Sequence, residues 1–109
     1  MVRQLRPKTT YVATTGVKEY RATIAKHVRP DDVVLEVGCE WGTTTDLIAD
    51  VAPDVIGTDI SPECIARARE MRPHLQFDAI DAFDMPALLA LGKSFTKIYV
   101  DLSGFSGYA

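Results

Sequence analysis

Residues 33–46 read VVLEVGCEWGTTTD, and this stretch carries the most structural information in the sequence. The first five are aliphatic except for Glu36, a pattern typical of a short strand that is buried on both faces of a parallel sheet. The run stops at Gly38, crosses an acidic and aromatic loop, and restarts at Gly42, which opens a helix. Glycine has no Cβ, so it allows both a tight turn and close approach of a ligand to the backbone. The stretch therefore predicts a binding site where this strand ends.

Helices and strands alternate around this stretch. Spacings of three and four place Val17, Tyr20, Ile24 and Val28 on one face of a helix over residues 17–28. Ser61 is the predicted N-cap of another helix, since it is followed by Pro62 and an acid. That helix presents four residues on one side, namely Cys64, Ile65, Ala68 and Met71. The other predicted elements are a helix over 43–50 with Leu47 and Ile48 inward, strands over 54–59, 75–78 and 95–101, and a short helix over 86–91.

This alternation predicts right-handed βαβ units and an open, mainly parallel sheet. In such sheets ligands bind at the carboxyl ends of the strands. Residues 38–42, Asp59, Asp81 and residues 101–104 all follow predicted strands. We therefore expect them to lie together along one edge of the sheet.

Length and composition set wide limits. The chain has 109 residues, 47% of them hydrophobic and 25% charged, which fits one ordinary globular domain. Its net charge of −3 gives no general positive field for nucleic acid. Cys39 and Cys64 lack metal-site spacing, so we interpret them as reduced thiols of a cytoplasmic protein. The basic start is not followed by an apolar segment, and we expect neither an export signal nor a membrane span.

The residues after the second strand point to a nucleoside. Asp59 lies 21 positions after Gly38, where a carboxylate can accept hydrogen bonds from both hydroxyls of a ribose. A dinucleotide fingerprint needs three glycines, but Glu40 and Thr43 occupy two of those positions. Glu40 would also repel a pyrophosphate. A cofactor with a cationic sulfonium and an ammonium is better tolerated there, and S-adenosylmethionine meets that requirement.

Three stretches carry a family resemblance: VLEVGCEWGTTTDL at 34–47, VIGTDIS at 55–61 and FDAIDAFDMPAL at 77–88. They resemble the first three motifs of class I, Rossmann-like S-adenosylmethionine-dependent methyltransferases. The resemblance extends over about residues 15–103 and implies a three-layer α/β fold that binds S-adenosyl-L-methionine. One position departs from the pattern, because Glu40 stands where the family often has a middle glycine.

The resemblance also implies roles for single residues. Glu36 would anchor the methionine end of the cofactor, and Asp59 would hold the ribose hydroxyls. Trp41 either caps the cofactor cleft or packs under it. The other implied contacts are backbone access at Gly38, Cys39 and Gly42, packing of Ile60 on the adenine, a hydrogen bond from the adenine amino group to Asp81, and one from the Ala82 N–H to the ring.

The family normally has seven strands, whereas this sequence predicts about four. We therefore expect a single domain over 1–109 that forms only the N-terminal, cofactor-binding half, with residues 1–14 as an extension and 15–109 as a truncated core. Residues 95–100 should lie beside the first strand and expose an apolar edge, which is a template for association. A homodimer through that edge is a further expectation.

Catalytic residues are expected where the fourth strand ends, because the acceptor site of the family usually begins there. Asp101 and Ser103 are the candidates for a general base, although a strand-end carboxylate and a turn serine explain them equally well. Asp78, Asp81 and Asp84 recur every three positions, which is more typical of a solvated loop than of a metal site.

The methyl acceptor stays open between a small molecule, a protein and RNA. Two other functions are also open. One is a non-catalytic module that binds the nucleoside and acts through a partner chain. The other is an NAD-dependent oxidoreductase, against which the missing glycines argue.

Overall fold

A computed structural model describes residues 9–102, so Ser103 lies outside the described residues. Every predicted helix and strand within that range is present, with small differences at the ends. None of the helices in this range has the length and apolar character needed to cross a membrane. The elements are α1 (Val17–His27), β1 (Val34–Val37), α2 (Thr43–Ala49), β2 (Val55–Asp59), α3 (Pro62–Met71), β3 (Gln76–Ala79), α4 (Met85–Leu89) and β4 (Lys97–Val100).

The four strands form one parallel sheet in the order β3-β2-β1-β4. The predicted α/β fold with a parallel sheet is thereby confirmed, as is the position of the fourth strand beside the first. Since all strands run the same way, their carboxyl ends meet at one edge. The loops after β1, β2, β3 and β4 start from that edge.

One face of the sheet packs against the three longer helices. Glu36 is in register with Gly57 of β2 and Tyr99 of β4, and Gly57 is in register with Phe77 of β3. These four residues therefore lie on the same face. The residues of its two buried hydrophobic clusters are Tyr20, Ile24, Val28, Val34, Ile48, Ala52, Val55 and Tyr99, and Cys39, Ile65, Ala68 and Phe77.

Leu47 was predicted to face inward, but it is 41% exposed, so that prediction is wrong. Val17 and Met71, at the ends of the apolar helix faces, are also exposed, at 50% and 43%. The error at Leu47 has a clear cause. Thr45 and Ile48 of α2 face the sheet, and Leu47 lies about 200° around the helix from Thr45. A polar contact of Thr45, described below, decides which side of α2 is buried.

Asp32 positions β4 next to β1. This aspartate is buried before β1, and its carboxylate accepts hydrogen bonds from Arg29 N–H, Thr96 Oγ1 and Lys97 Nζ at 2.7 to 3.1 Å. Burial alone would raise the pKa of Asp32, but these bonds hold it below its usual value. A single side chain thus links the turn before β1 to the start of β4.

The sheet face opposite to Tyr99 carries exposed apolar side chains at β4. Ile98 is 61% exposed and Val100 is 50% exposed, and both point away from the face that carries Tyr99. In the described part of the chain β4 pairs only with β1. The apolar edge expected from the sequence is therefore present at β4.

Candidate functional site

Glu36 is a buried carboxylate at the heart of the site. It is 1% exposed, and each of its two carboxylate oxygens accepts a hydrogen bond from a hydroxyl. Tyr20 Oη of α1 donates to Oε2 at 2.9 Å, and Thr45 Oγ1 of α2 donates to Oε1 at 2.6 Å. Neither Tyr20 nor Thr45 was predicted from the sequence as a partner of Glu36. The sequence feature that could have indicated them is a hydroxyl residue on the buried face of each of these two helices.

Burial raises the pKa of Glu36 to about 7 from its ordinary value of 4.5. The two hydroxyls oppose this rise, because they stabilise the ionised carboxylate, while the nearby negative charge of Asp101 adds to it. Burial and the charge of Glu36 also raise the pKa of the Tyr20 hydroxyl, which therefore keeps its proton and acts as a donor. Ionising Glu36 in this buried position therefore costs free energy.

Gly38 and Gly42 have left-handed backbone angles, with φ of 81° and 85°. The space around them is filled by the protein itself. A Cβ on Gly38 would lie 1.9 Å from the carbonyl oxygen of Asp101, and one on Gly42 would lie 2.5 Å from the ring of Phe77. From the sequence, both glycines were explained by access of a ligand to the backbone. The structure shows that each position also needs glycine because neighbouring atoms leave no room for a Cβ.

Glu40, which stands in the place of the middle glycine, also has a positive φ, at 50°. Such a conformation costs a side-chain-bearing residue about 1–2 kcal/mol. The backbone N–H of Glu40 donates to Asp59 Oδ2 at 2.9 Å, and Ser61 N–H donates to Oδ1 at 3.0 Å. Asp59 therefore holds the loop after β1 in its turned conformation.

A cleft of about 290 Å³ opens between α1 and the loop after β1. It brings together five of the predicted site residues, namely Glu36, Gly38, Cys39, Trp41 and Asp101. Cys39 is buried, and burial raises the pKa of its thiol. Arg21 and Thr44, which the sequence did not single out, line the same cleft.

The remaining predicted residues follow β2 and β3 along the same edge. Asp59 ends β2, and Ile60 after it is 60% exposed. Ile80 N–H donates to the Asp59 carbonyl at 3.0 Å, which places Asp81 and Ala82 beside that strand end. Asp81 is exposed, and its Oδ1 accepts the N–H of Phe83. These residues do not line the cleft itself.

Trp41 is half exposed at the cleft rim. Its side chain is 51% exposed, and the Arg67 guanidinium lies 5.4 Å from the ring centroid. Of the two alternatives left by the sequence, a position at the mouth of the cleft agrees better with this exposure than burial underneath.

A larger concavity, of about 610 Å³, lies along β3. It contains none of the predicted site residues. Polar side chains that line it already have partners, since Arg69 pairs with Asp78 and the His74 ring forms a hydrogen bond with Asp46. Within residues 9–102, no three potential ligands are close enough together to hold a metal ion.

A sequence model described as a methyltransferase domain matches residues 34–105. The chain belongs to this methyltransferase family. The predicted relationship to class I S-adenosylmethionine-dependent enzymes is thereby confirmed. The matched residues start in β1 and include the acidic loop, Asp59 and Asp81.

Known proteins, two of them named as methyltransferases, resemble the chain over part of their length. A demethylmenaquinone methyltransferase of Beutenbergia cavernae is 37% identical over 67 residues, which are 61% of this chain and 28% of that enzyme. Streptomyces venezuelae DesVI has the same fold with a TM-score of 0.62 at 22% identity, covering 78% of this chain and 37% of that one. The phosphoethanolamine N-methyltransferase 1 of Haemonchus contortus, solved with S-adenosylhomocysteine, gives 0.53 at 24% identity, covering 61% and 15%. The methyltransferase chain described here thus spans about a third or less of their lengths.

The raised pKa of Glu36 predicts a pH-dependent stability. Between its ordinary value and about pH 7, the folded chain keeps a proton on Glu36 that the unfolded chain releases. The free energy of unfolding must therefore fall as pH rises through this window, by at most about 3 kcal/mol. In Glu36→Gln this loss should be absent. Urea unfolding at pH 5 and pH 8 measures it.

Glu70→Gln is the matched control, because Glu70 is exposed on α3. It should keep the pH dependence of the original chain. An equal difference between pH 5 and pH 8 in Glu36→Gln and in the original chain would contradict the assignment.

Proposed function

We propose that the chain binds S-adenosyl-L-methionine and forms the cofactor-binding part of an enzyme that transfers its methyl group to an acceptor. The observation that carries the proposal is the position of Asp59. It lies at the carboxyl end of β2, half-buried, next to a cleft lined by Glu36, Glu40 and Asp101. This arrangement combines an acceptor for ribose hydroxyls with a strongly acidic pocket.

The residues present fit the cofactor chemically. Each oxygen of Asp59 accepts one backbone N–H, and a carboxylate has about four lone-pair sites. Two ribose hydroxyls can therefore still donate to it. The acidic residues of the cleft favour a ligand with a sulfonium and an ammonium. They disfavour a pyrophosphate, which argues against NAD.

The neighbouring residues would bind the rest of the nucleoside. Exposed Ile60 would pack on one face of the adenine, and Asp81 would accept a hydrogen bond from its amino group. The backbone N–H of Ala82 would donate to the ring. Backbone groups of Gly38, Cys39 and Gly42 would contact the cofactor, with Trp41 over the mouth of the cleft.

The bound cofactor would supply an electrophilic methyl group, which is displaced directly by the acceptor. The chain then has to align the acceptor and exclude water. Asp101, which follows β4 and lines the cleft, would take the proton released by a hydroxyl or ammonium acceptor. Ser103 stays a candidate for the same role.

The acceptor is not specified by these features. The named relatives act, by their names, on demethylmenaquinone and on phosphoethanolamine, which differ completely in structure. We infer that the cofactor site is shared and that further residues select the acceptor.

Both cysteines have free thiols, as is usual in a reducing compartment, which supports the predicted cytoplasmic location.

Calorimetric titration with S-adenosylmethionine and S-adenosylhomocysteine tests the proposal. Both ligands should bind the original chain, and Asp59→Ala should weaken binding by at least about tenfold, since two hydrogen bonds to a charged acceptor are lost. Asp50→Ala is the control, because Asp50 is exposed at the other end of α2. Binding of NAD in place of both ligands would refute the proposed cofactor.

We also propose that the apolar edge of β4 supports a homodimer. Sedimentation equilibrium at increasing concentration should then detect a dimer that Ile98→Lys dissociates, because a charge at an exposed edge blocks strand association. Leu89→Lys, which alters an equally apolar exposed position on α4, should leave it intact. A monomer at all concentrations would rule out this interface.

A further inference from the structure

Arg72 connects the loop after β1 to two helices. It is the C-cap residue of α3, and its side chain is only 15% exposed. Its Nη1 donates to the Trp41 carbonyl at 2.9 Å, and its Nε donates to Asp46 Oδ2 of α2 at 3.2 Å. A planar guanidinium that binds partners at two of its nitrogens keeps a fixed orientation. The Trp41 peptide is therefore fixed to the end of α3 and to α2.

The loop has a second fixed contact at the neighbouring residue. The backbone N–H of Glu40 donates to Asp59 Oδ2 at 2.9 Å. Glu40 needs such support because its positive φ of 50° is unfavourable for a residue with a side chain. The two contacts differ in one respect. Asp59 would also bind the ribose, whereas Arg72 is not among the described residues that line the cleft.

The side chain of Trp41 is held from the same helix. The guanidinium of Arg67 lies 5.4 Å from the centroid of the Trp41 ring. Arg67 is 48% exposed and also pairs with Glu70, and a contact between a cation and an aromatic ring weakens with exposure to water. The less exposed Arg72 is therefore the contact of α3 that contributes most to the position of the loop.

We propose that Arg72 is a positioning residue for the cofactor site. It keeps the loop after β1 in its binding conformation before the ligand arrives, and it does so without touching the ligand. This inference rests on the proposed function and adds a residue from outside the site. When only a fraction of the molecules has a competent loop, the apparent affinity falls in proportion to that fraction.

Trp41 is the single tryptophan of the chain, so its fluorescence reports on this loop alone. The anisotropy of its emission and the calorimetric affinity for S-adenosylhomocysteine are compared between the original chain and Arg72→Gln. The variant should have a lower anisotropy without ligand and should bind about tenfold more weakly. Saturating ligand should restore the anisotropy, because it orders the loop again. A lower global stability alone would leave the anisotropy of the folded chain unchanged.

Arg69→Gln is the matched control. Arg69 lies on the same helix and also donates to a backbone carbonyl, but that carbonyl belongs to Phe77 of β3, at 2.7 Å. Its removal should leave the anisotropy unchanged and the affinity within about twofold. Arg72→Lys keeps the charge but replaces the fork of donors by one nitrogen, so its effects should be intermediate. Circular dichroism establishes that each variant is folded, and Arg72→Lys carries the comparison if Arg72→Gln is not.

The outcomes separate the two proposals. If S-adenosylhomocysteine binds the original chain and the Arg72 variant leaves either quantity unchanged, the role of Arg72 is refuted and the proposed function stands. An equal effect of Arg69→Gln refutes it in the same way. If the original chain does not bind the ligand, the proposed function fails and the role of Arg72 falls with it. A loss confined to the Arg72 variant, with anisotropy restored by the ligand, supports both.

Discussion

Glu36 of β1 carries a carboxylate that is 1% exposed, and an ionised carboxylate can stay there only while hydroxyl groups solvate it. Tyr20 and Thr45 supply those hydroxyls from α1 and α2. Gly57 of β2 leaves the room that Thr45 needs, because a Cβ there would lie 2.9 Å from Thr45 Oγ1. One acidic side chain thereby fixes how two helices sit on the sheet.

The same carboxylate shapes the site. Its charge and that of Asp101 make the cleft acidic, and the charge of Asp101 raises the cost of ionising Glu36. Such a cost is rarely kept in a core without a use, and perturbed carboxylates concentrate at functional sites. A cationic ligand would remove the cost by favouring the ionised form. In this view the same residue, Glu36, both positions the helices on the sheet and favours the binding of a cationic ligand.

The sequence predicted the elements well because their signals are local. Periodic apolar residues, the Ser61 cap and the glycines of the first loop can all be identified over a few positions. Contacts between distant residues could not be predicted in this way. The burial of Thr45 in place of Leu47 depends on Glu36, and the need for glycine at 38 depends on the Asp101 carbonyl, 63 positions away. Arg21 had no motif at all, since only the fold brings α1 to the cleft.

Carbon-13 NMR titration of the Glu36 carboxyl carbon, with and without saturating S-adenosylhomocysteine, measures whether a cationic ligand lowers the cost of ionising this buried carboxylate. We expect a pKa of about 7 in the free chain and a lower one in the complex, since the ligand ammonium stabilises the ionised form. An ordinary pKa near 4.5 that the ligand leaves unchanged would contradict this role of Glu36.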